Sequence, residues 1–187
     1  MEVLSQPWAT GPSGEIVRVD PELWLFEAGA WDDVEAALGT RLPTDYKDLI
    51  GDGLACIFDE ELLIASPFER KQGFNLIWEA ARSAWSLAYV RQSAPDYFPV
   101  VVYPEPGGLL GWGNDGGGGQ YHWETRGADP DQWTIAVTGR SVFDPSVERH
   151  ACNLSAYLQG LASGAITAAA LSGWPSPDAR IERRSSD

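Results

Sequence analysis

FPVVVYPEPGGLLGWGNDGGGGQYHWETRGADPDQWTIAV, from Phe98 to Val137, alternates short aromatic and β-branched runs with clusters of Gly, Pro, Asn and Asp. That rhythm predicts consecutive strands joined by tight turns. Three of the nine tryptophans, Trp112, Trp123 and Trp133, fall in this stretch, each placed to cover a sheet face. None of its residues has an obvious catalytic partner, so the stretch reads as scaffold.

Working outward from it, the flanking sequence turns helical. Phe74, Ile77, Trp78, Ala81, Ala84, Trp85 and Ala88 recur at three- and four-residue steps and predict a long helix to Ser93, with Pro95 as its stop. The aromatic stripe reads as core rather than as a cofactor groove. On the other side, Asn153 is a good N-cap for a helix whose Leu154, Tyr157, Leu158 and Leu161 share one face. Asn153-Leu154-Ser155 also matches a glycosylation acceptor, but capping accounts for the asparagine better.

Nearer the N-terminus, Trp31, Val34 and Leu38 stand at helical spacing, with Gly39 placed to end the helix. Pro43 opens a second short helix, TDYKDLI, which Gly51 and Gly53 break. Strands are expected around Glu15–Val19, Ala55–Phe58 and Leu62–Ala65. Residues 1–14, rich in Gly, Pro and Ser, are expected to form a flexible N-terminal segment. The tail 172–187 carries Pro175, Pro177, Arg180, Arg183 and Arg184 and is expected to be disordered. Residues 15–171 then make one α+β domain with a mainly antiparallel central sheet flanked by helices.

At 187 residues and 44% hydrophobic, the chain suits one domain with an adequate core. It has no apolar run long enough for a membrane span and no basic-then-apolar leader. A cytoplasmic location follows, with Cys56 and Cys152 as reduced, partly buried residues. The net charge is −14. Between Met1 and Glu61 fall 14 acidic residues and three basic ones, which leaves that third at −11. Such a field repels phosphate backbones and attracts basic proteins. Direct nucleic-acid binding is therefore not expected. Asp32, Asp33 and Glu35, then Asp45, Asp48 and Asp52, then Asp59, Glu60 and Glu61 are the candidate partner-binding acids; they read first as solvated faces and second as a docking surface.

Motifs for chemistry are weak. Gly111-Trp112-Gly113-Asn114-Asp115-Gly116 fits GxGxxG by letter, but a strand follows it rather than the helix a pyrophosphate needs, so it reads as a hairpin. His122 and His150 share no zinc spacing with each other or with the cysteines. No GxSxG turn is present, and Cys152 with His150, on one face if in a strand, lacks a third group to orient a base. No catalytic residue, cofactor or metal is expected. A hydrolase using paired carboxylates would need a deep pocket that sequence does not select.

One resemblance adds to this reading. Trp31-Asp-Asp-Val-Glu-Ala-Ala-Leu-Gly39, Leu42-Pro43-x-Asp45-Tyr46-Lys47 and Ile50-Gly51-x-Gly53 resemble the opening signature of the SUKH superfamily. That superfamily includes the fungal Smi/Knr cell-wall regulators and many bacterial immunity proteins of polymorphic toxin systems. Phe98-Pro99, Leu109-Leu110-x-Trp112-Gly113, Asp115-Gly116, Tyr121-x-Trp123 and Pro130-Asp131-x-Trp133 follow in the family's order, and Leu154–Leu161 resembles its closing helix. The resemblance covers roughly Trp31 to Leu171. It implies an α+β scaffold without catalytic apparatus. It also implies, as leading function, an immunity protein that neutralises a nuclease- or deaminase-type toxin through its acidic surface. A regulatory or scaffold protein with a non-toxin partner is the alternative.

Overall fold

Where Gly, Pro, Asn and Asp stand, the chain turns, and between those points it extends or coils. A computed structural model describes residues 8–10, 16–18, 25–93, 100–139, 147–167 and 179–184. In chain order the elements are β1 (Trp8–Thr10), β2 (Ile16–Arg18), α1 (Trp31–Leu38), α2 (Thr44–Ile50), β3 (Cys56–Phe58), β4 (Leu62–Ile64), α3 (Leu76–Ser93), β5 (Leu109–Asp115), β6 (Gln120–Glu124), β7 (Thr134–Thr138), β8 (Val147–His150), α4 (Leu154–Ser163) and β9 (Ile181–Arg183). Short 3₁₀ turns, Gln72–Phe74 and Pro130–Gln132, precede α3 and β7.

The result is an α+β domain built on a seven-stranded sheet of order β8-β7-β6-β5-β4-β3-β9, antiparallel at every pairing. The stretch that opened the sequence reading supplies its centre, β5 to β7. Gly39 closes α1 in the left-handed region at φ 74°, and Pro43 caps α2, as their positions predict. Asn153 accepts the Ala156 N–H at 3.0 Å and so caps α4.

Strand alternation divides the sheet into two faces. Tyr121 and Trp123 of β6 join Trp112, Ile135 and Val137 in a large cluster that α1, α2 and α4 cover and to which Leu76, Ile77, Ala80 and Ala81 of the first turns of α3 contribute. Rings chain through it: Trp31 meets Tyr46, Tyr46 meets Trp123, Trp123 meets Trp112, and Trp112 meets Tyr121, at centroid distances of 6.0, 5.0, 6.1 and 5.5 Å. The opposite face is lined by His122, Ala136, Leu109 and Gly111, and α3 lies on it.

Gly111-Trp112-Gly113 now has a packing explanation. A Cβ at Gly111 would stand 2.6 Å from Ser83 Cβ on α3, and one at Gly113 would stand 2.2 Å from the Leu63 carbonyl oxygen on β4. Trp112 is the extra residue of a bulge, since Gly111 pairs with His122 and Gly113 with Tyr121. The following turn is organised by Asp115, whose Oδ1 accepts the N–H groups of Gly117 (2.8 Å) and Gly119 (2.9 Å). The GxGxxG letters therefore encode two close backbone approaches and a hairpin.

One expectation needs correction, and two segments hold strands that the sequence reading did not place. Trp8–Thr10, in the N-terminal segment, pairs antiparallel with β2, and β2 lies against α3. Ile181–Arg183, inside the tail expected to be disordered, is the edge strand β9 on β3. Its support comes from the main chain of β3 and α2 and from Phe74 and Glu69, more than 100 residues earlier, which local composition does not register. The stripe on α3 is also rotated: Leu76, Ile77, Ala80, Ala84 and Leu87 are buried, whereas Trp85 and Tyr89 are exposed (48% and 57%) and stacked on each other at 5.8 Å. Pro95, Phe98-Pro99, the Leu171 boundary and most of the tail's Pro-rich part lie outside the described residues.

Candidate functional site

Asp32 and Asp33 occupy the first turn of α1 and are exposed, where carboxylates favour the positive end of the helix. Asp48 and Asp52 are exposed on α2 and just beyond its end, and the loop entering α1 at Gly29 passes beside Asp52. All four acids are exposed, two at the start of α1 and two on or just past α2. Glu60 and Glu61 are exposed as well, with Asp59 half-buried, but they sit on the β3–β4 hairpin at the other end of β3 from Asp52. The acid-rich third is therefore two separate patches. In the hairpin turn, Asp59 and Glu60 both adopt positive φ (50° and 63°), and the Glu61 N–H donates back to the Phe58 carbonyl at 3.2 Å.

The other two acids are ties inside the fold. Glu35 Oε1 accepts the Leu42 N–H at 2.9 Å and pairs with Lys47 Nζ at 2.8 Å. Asp45 Oδ2 accepts the Ser155 N–H at 2.8 Å and so helps to cap α4. In turn, Asp131 receives the Thr44 N–H (2.6 Å) and hydroxyl (3.0 Å) and caps α2. These hydrogen bonds from Thr44 hold the Asp131 carboxyl below its usual range. Tyr46, buried beneath, donates its hydroxyl to the Ala65 carbonyl at 2.6 Å, and burial raises its pKa. The Leu-Pro-x-Asp-Tyr sequence is thus a junction: it starts α2, plugs the core and caps a second helix.

The far end of α2 is closed by the tail. Arg183 donates from its two terminal nitrogens to the carbonyls of Ile50 (3.3 Å) and Leu49 (3.0 Å). The Arg184 guanidinium lies 3.6 Å from the Phe74 ring centroid, and its Nε stands 3.8 Å from Glu69 Oε2. The fold therefore returns cations from the C-terminus to the acid-rich third, which a count along the sequence does not reveal.

The polar groups best suited to chemistry lie under α3, out of solvent. Ser83 Oγ is 2.7 Å from His122 Nε2, and His122 Nδ1 faces the Ala136 carbonyl at 3.3 Å. Both residues have 0% exposure. Burial lowers the His122 pKa to about 3, so Nδ1–H donates to the carbonyl and Nε2 accepts from Ser83. With neither side chain exposed, a substrate does not reach the hydroxyl; the pair joins helix to sheet. One turn earlier, buried Glu79 binds Arg82 through two nitrogens, at 3.0 and 2.5 Å, and accepts from Asn114 Nδ2 at 3.1 Å. Polar residues at 79 and 83, four apart between apolar neighbours, were the signal for this seam.

At the opposite sheet edge, Glu124 accepts from Arg126 and Arg149, each at 3.0 Å. Burial alone would raise the Glu124 pKa, but these hydrogen bonds outweigh it and the net shift is downward. His150 ends β8 and Cys152 follows in a bend, so they do not share a strand face. Cys56 and Cys152 are free thiols, raised in pKa by burial. Among the described residues no group of three or more His, Cys, Asp or Glu is placed to hold a metal, and no helix is long and apolar enough to cross a membrane. Compared with known proteins, the chain matches no family model, no curated protein and no solved structure.

Proposed function

We propose that the chain is a non-enzymatic protein-binding domain of SUKH type, an immunity protein that neutralises a basic toxin domain of nuclease or deaminase type. The observation that carries this reading is the exposure of Asp32, Asp33, Asp48 and Asp52 on α1, on α2 and just beyond it. A nuclease cleft is built to attract phosphates, and fixed carboxylates on a rigid helical pair match its field. The internal roles of Glu35 and Asp45 support the same reading by holding those helices in place. The seclusion of Ser83 and His122 also favours binding over catalysis.

The test is affinity capture from the native host at low and high salt, followed by association kinetics with the partner. A basic toxin-domain protein is expected. The triple variant Asp32→Lys, Asp33→Lys, Asp48→Lys should slow association at least about tenfold at low salt and flatten its salt dependence. Unchanged rates at low salt overturn the assignment of these acids. Asp45 is left out because its reversal would uncap α4.

The alternative, a regulatory or scaffold protein with a non-toxin partner, draws support from one feature. Trp85 and Tyr89 stand stacked and exposed on α3, on the sheet face opposite α1 and α2. Aromatic pairs of this kind anchor apolar contacts, and capture of a multi-protein assembly would favour this reading.

A further inference from the structure

The tail strand β9 is bound in an unusual way for part of a core. All three of its residues are exposed, and its ladder to β3 spans only Phe58↔Ile181, Ile57↔Glu182 and Cys56↔Arg183. Flanking this ladder, the Asp59 N–H donates to the Arg180 carbonyl at 2.8 Å and the Arg184 N–H donates to the Ala55 carbonyl at 3.0 Å. Specific side-chain contact comes from two adjacent arginines. Arg183 spans two carbonyls at the negative end of α2, against Gly53, where an added Cβ would stand 2.7 Å from its guanidinium. Arg184 stacks on Phe74 beside Glu69. The β3 edge thus offers main-chain pairing and two cation seats of different chemistry: a carbonyl fork and an aromatic face with a carboxylate. Both suit a planar guanidinium better than an ammonium.

We infer that this edge is a docking site for an extended, arginine-bearing strand of the basic partner, and that β9 is the chain's own occupant of it, displaced when the partner binds. The inference rests on the reading of the partner as basic. Its chemistry is read from the occupant: strand addition supplies affinity and the Arg-Arg pair supplies selection. Because β9 is tethered, it competes at high effective concentration, and partner binding is weakened by the fraction of time the edge is occupied. The exposed acids on and beside α1 and α2 bring the partner in; the β3 edge, reached past Asp52 and the end of α2, holds it.

The experiment uses the full chain carrying Glu182→Pro, which removes the β9 N–H that faces Ile57 in the ladder, and separately Arg183→Lys with Arg184→Lys, which removes fork and stack. The first moves the net charge of −14 by only one unit and the second leaves it unchanged. Amide hydrogen exchange by NMR is read at Asp59, which β9 protects, and at Tyr121 in the sheet centre. In each variant Asp59 exchange should rise at least about tenfold with Tyr121 unchanged. Adding the synthetic peptide Ala-Arg-Ile-Glu-Arg-Arg, residues 179–184, at millimolar concentration to the Glu182→Pro chain should restore protection at Asp59. The same peptide with lysines for arginines should bind about tenfold more weakly. Asp59 exchange that stays slow, or that rises together with Tyr121, overturns the proposal, as does failure of the peptide to restore protection. Against the captured partner, Glu182→Pro should bind about tenfold more tightly. Unchanged affinity sinks the β3-edge assignment while leaving steering by Asp32, Asp33 and Asp48 standing; loss of that steering with the exchange results intact sinks only the assignment of those acids.

Discussion

On one face of the sheet Trp112, Tyr121 and Trp123 fill the space beneath α1, α2 and α4; on the other, Gly111 lets α3 settle until Ser83 is within bonding distance of His122. The first face is held by ring contacts and area. It tolerates imperfect polar pairing: Trp112 Nε1, Trp123 Nε1 and the Tyr157 hydroxyl are buried with no hydrogen-bond partner among the described residues. The second face is thin and polar, with Glu79, Ser83 and His122 fully buried and each engaged in hydrogen bonding. Large apolar contact forgives an orphaned donor because many dispersion contacts stand beside it; a seam of short polar contacts in low dielectric does not. The aromatic face should therefore respond to substitution in proportion to volume, and the α3 face to broken pairs.

The largest expected effect is at Arg82. Arg82→Ala leaves the Glu79 carboxylate buried with only Asn114 as donor and should cost about 3–5 kcal/mol in urea unfolding. A loss under about 1 kcal/mol would mean that the seam is not held by its ion pair. Next comes acid. His122 has a folded pKa near 3, below its unfolded value of about 6.5, so over that interval the unfolded chain takes a proton that the folded chain refuses. Stability should fall as pH drops below 6.5, by roughly 2–3 kcal/mol at pH 4.5, and His122→Asn should flatten the slope over that window. Glu124 and Asp131, whose folded pKa values are depressed, contribute stability that is present above their unfolded values and lost only at lower pH, so they do not mask it. The smallest effect belongs to the other face. Trp112→Phe loses ring volume but also removes an unpartnered indole N–H, and should cost only about 1–2 kcal/mol. A cost equal to that of Arg82→Ala would erase the distinction between the faces.

How far each face was legible follows from the same difference. The aromatic face was readable because its signals are local: Gly39 and Pro43 bracket the α1–α2 corner, and Asn153 announces α4. That β5 to β7 are consecutive strands was visible in alternating residues and turn clusters, though the bulge at Trp112 was not. The α3 face was misread because large aromatics on a helix suggest burial, while the buried side is set by the close approach of Gly111 to Ser83, which leaves no room for a large side chain there. The candidate site was half legible. Exposure of Asp32, Asp33, Asp48 and Asp52 follows from helix position, but the inward roles of Glu35 and Asp45 depend on Lys47 and on Ser155, the latter 110 residues away. The seats for Arg183 and Arg184 required the tail to be recognised as a strand, and three exposed residues carry too little pattern for that.

The two ends of α2 are closed by Asp131 and Arg183, residues 87 and at least 133 positions further along the chain. A seven-residue helix has little stability of its own. During synthesis, therefore, α2 emerges early but can be closed at both ends only once Arg183 has been added, 133 positions beyond Ile50. The α1–α2 corner, read early in the chain, is then among the later parts of the fold to become rigid.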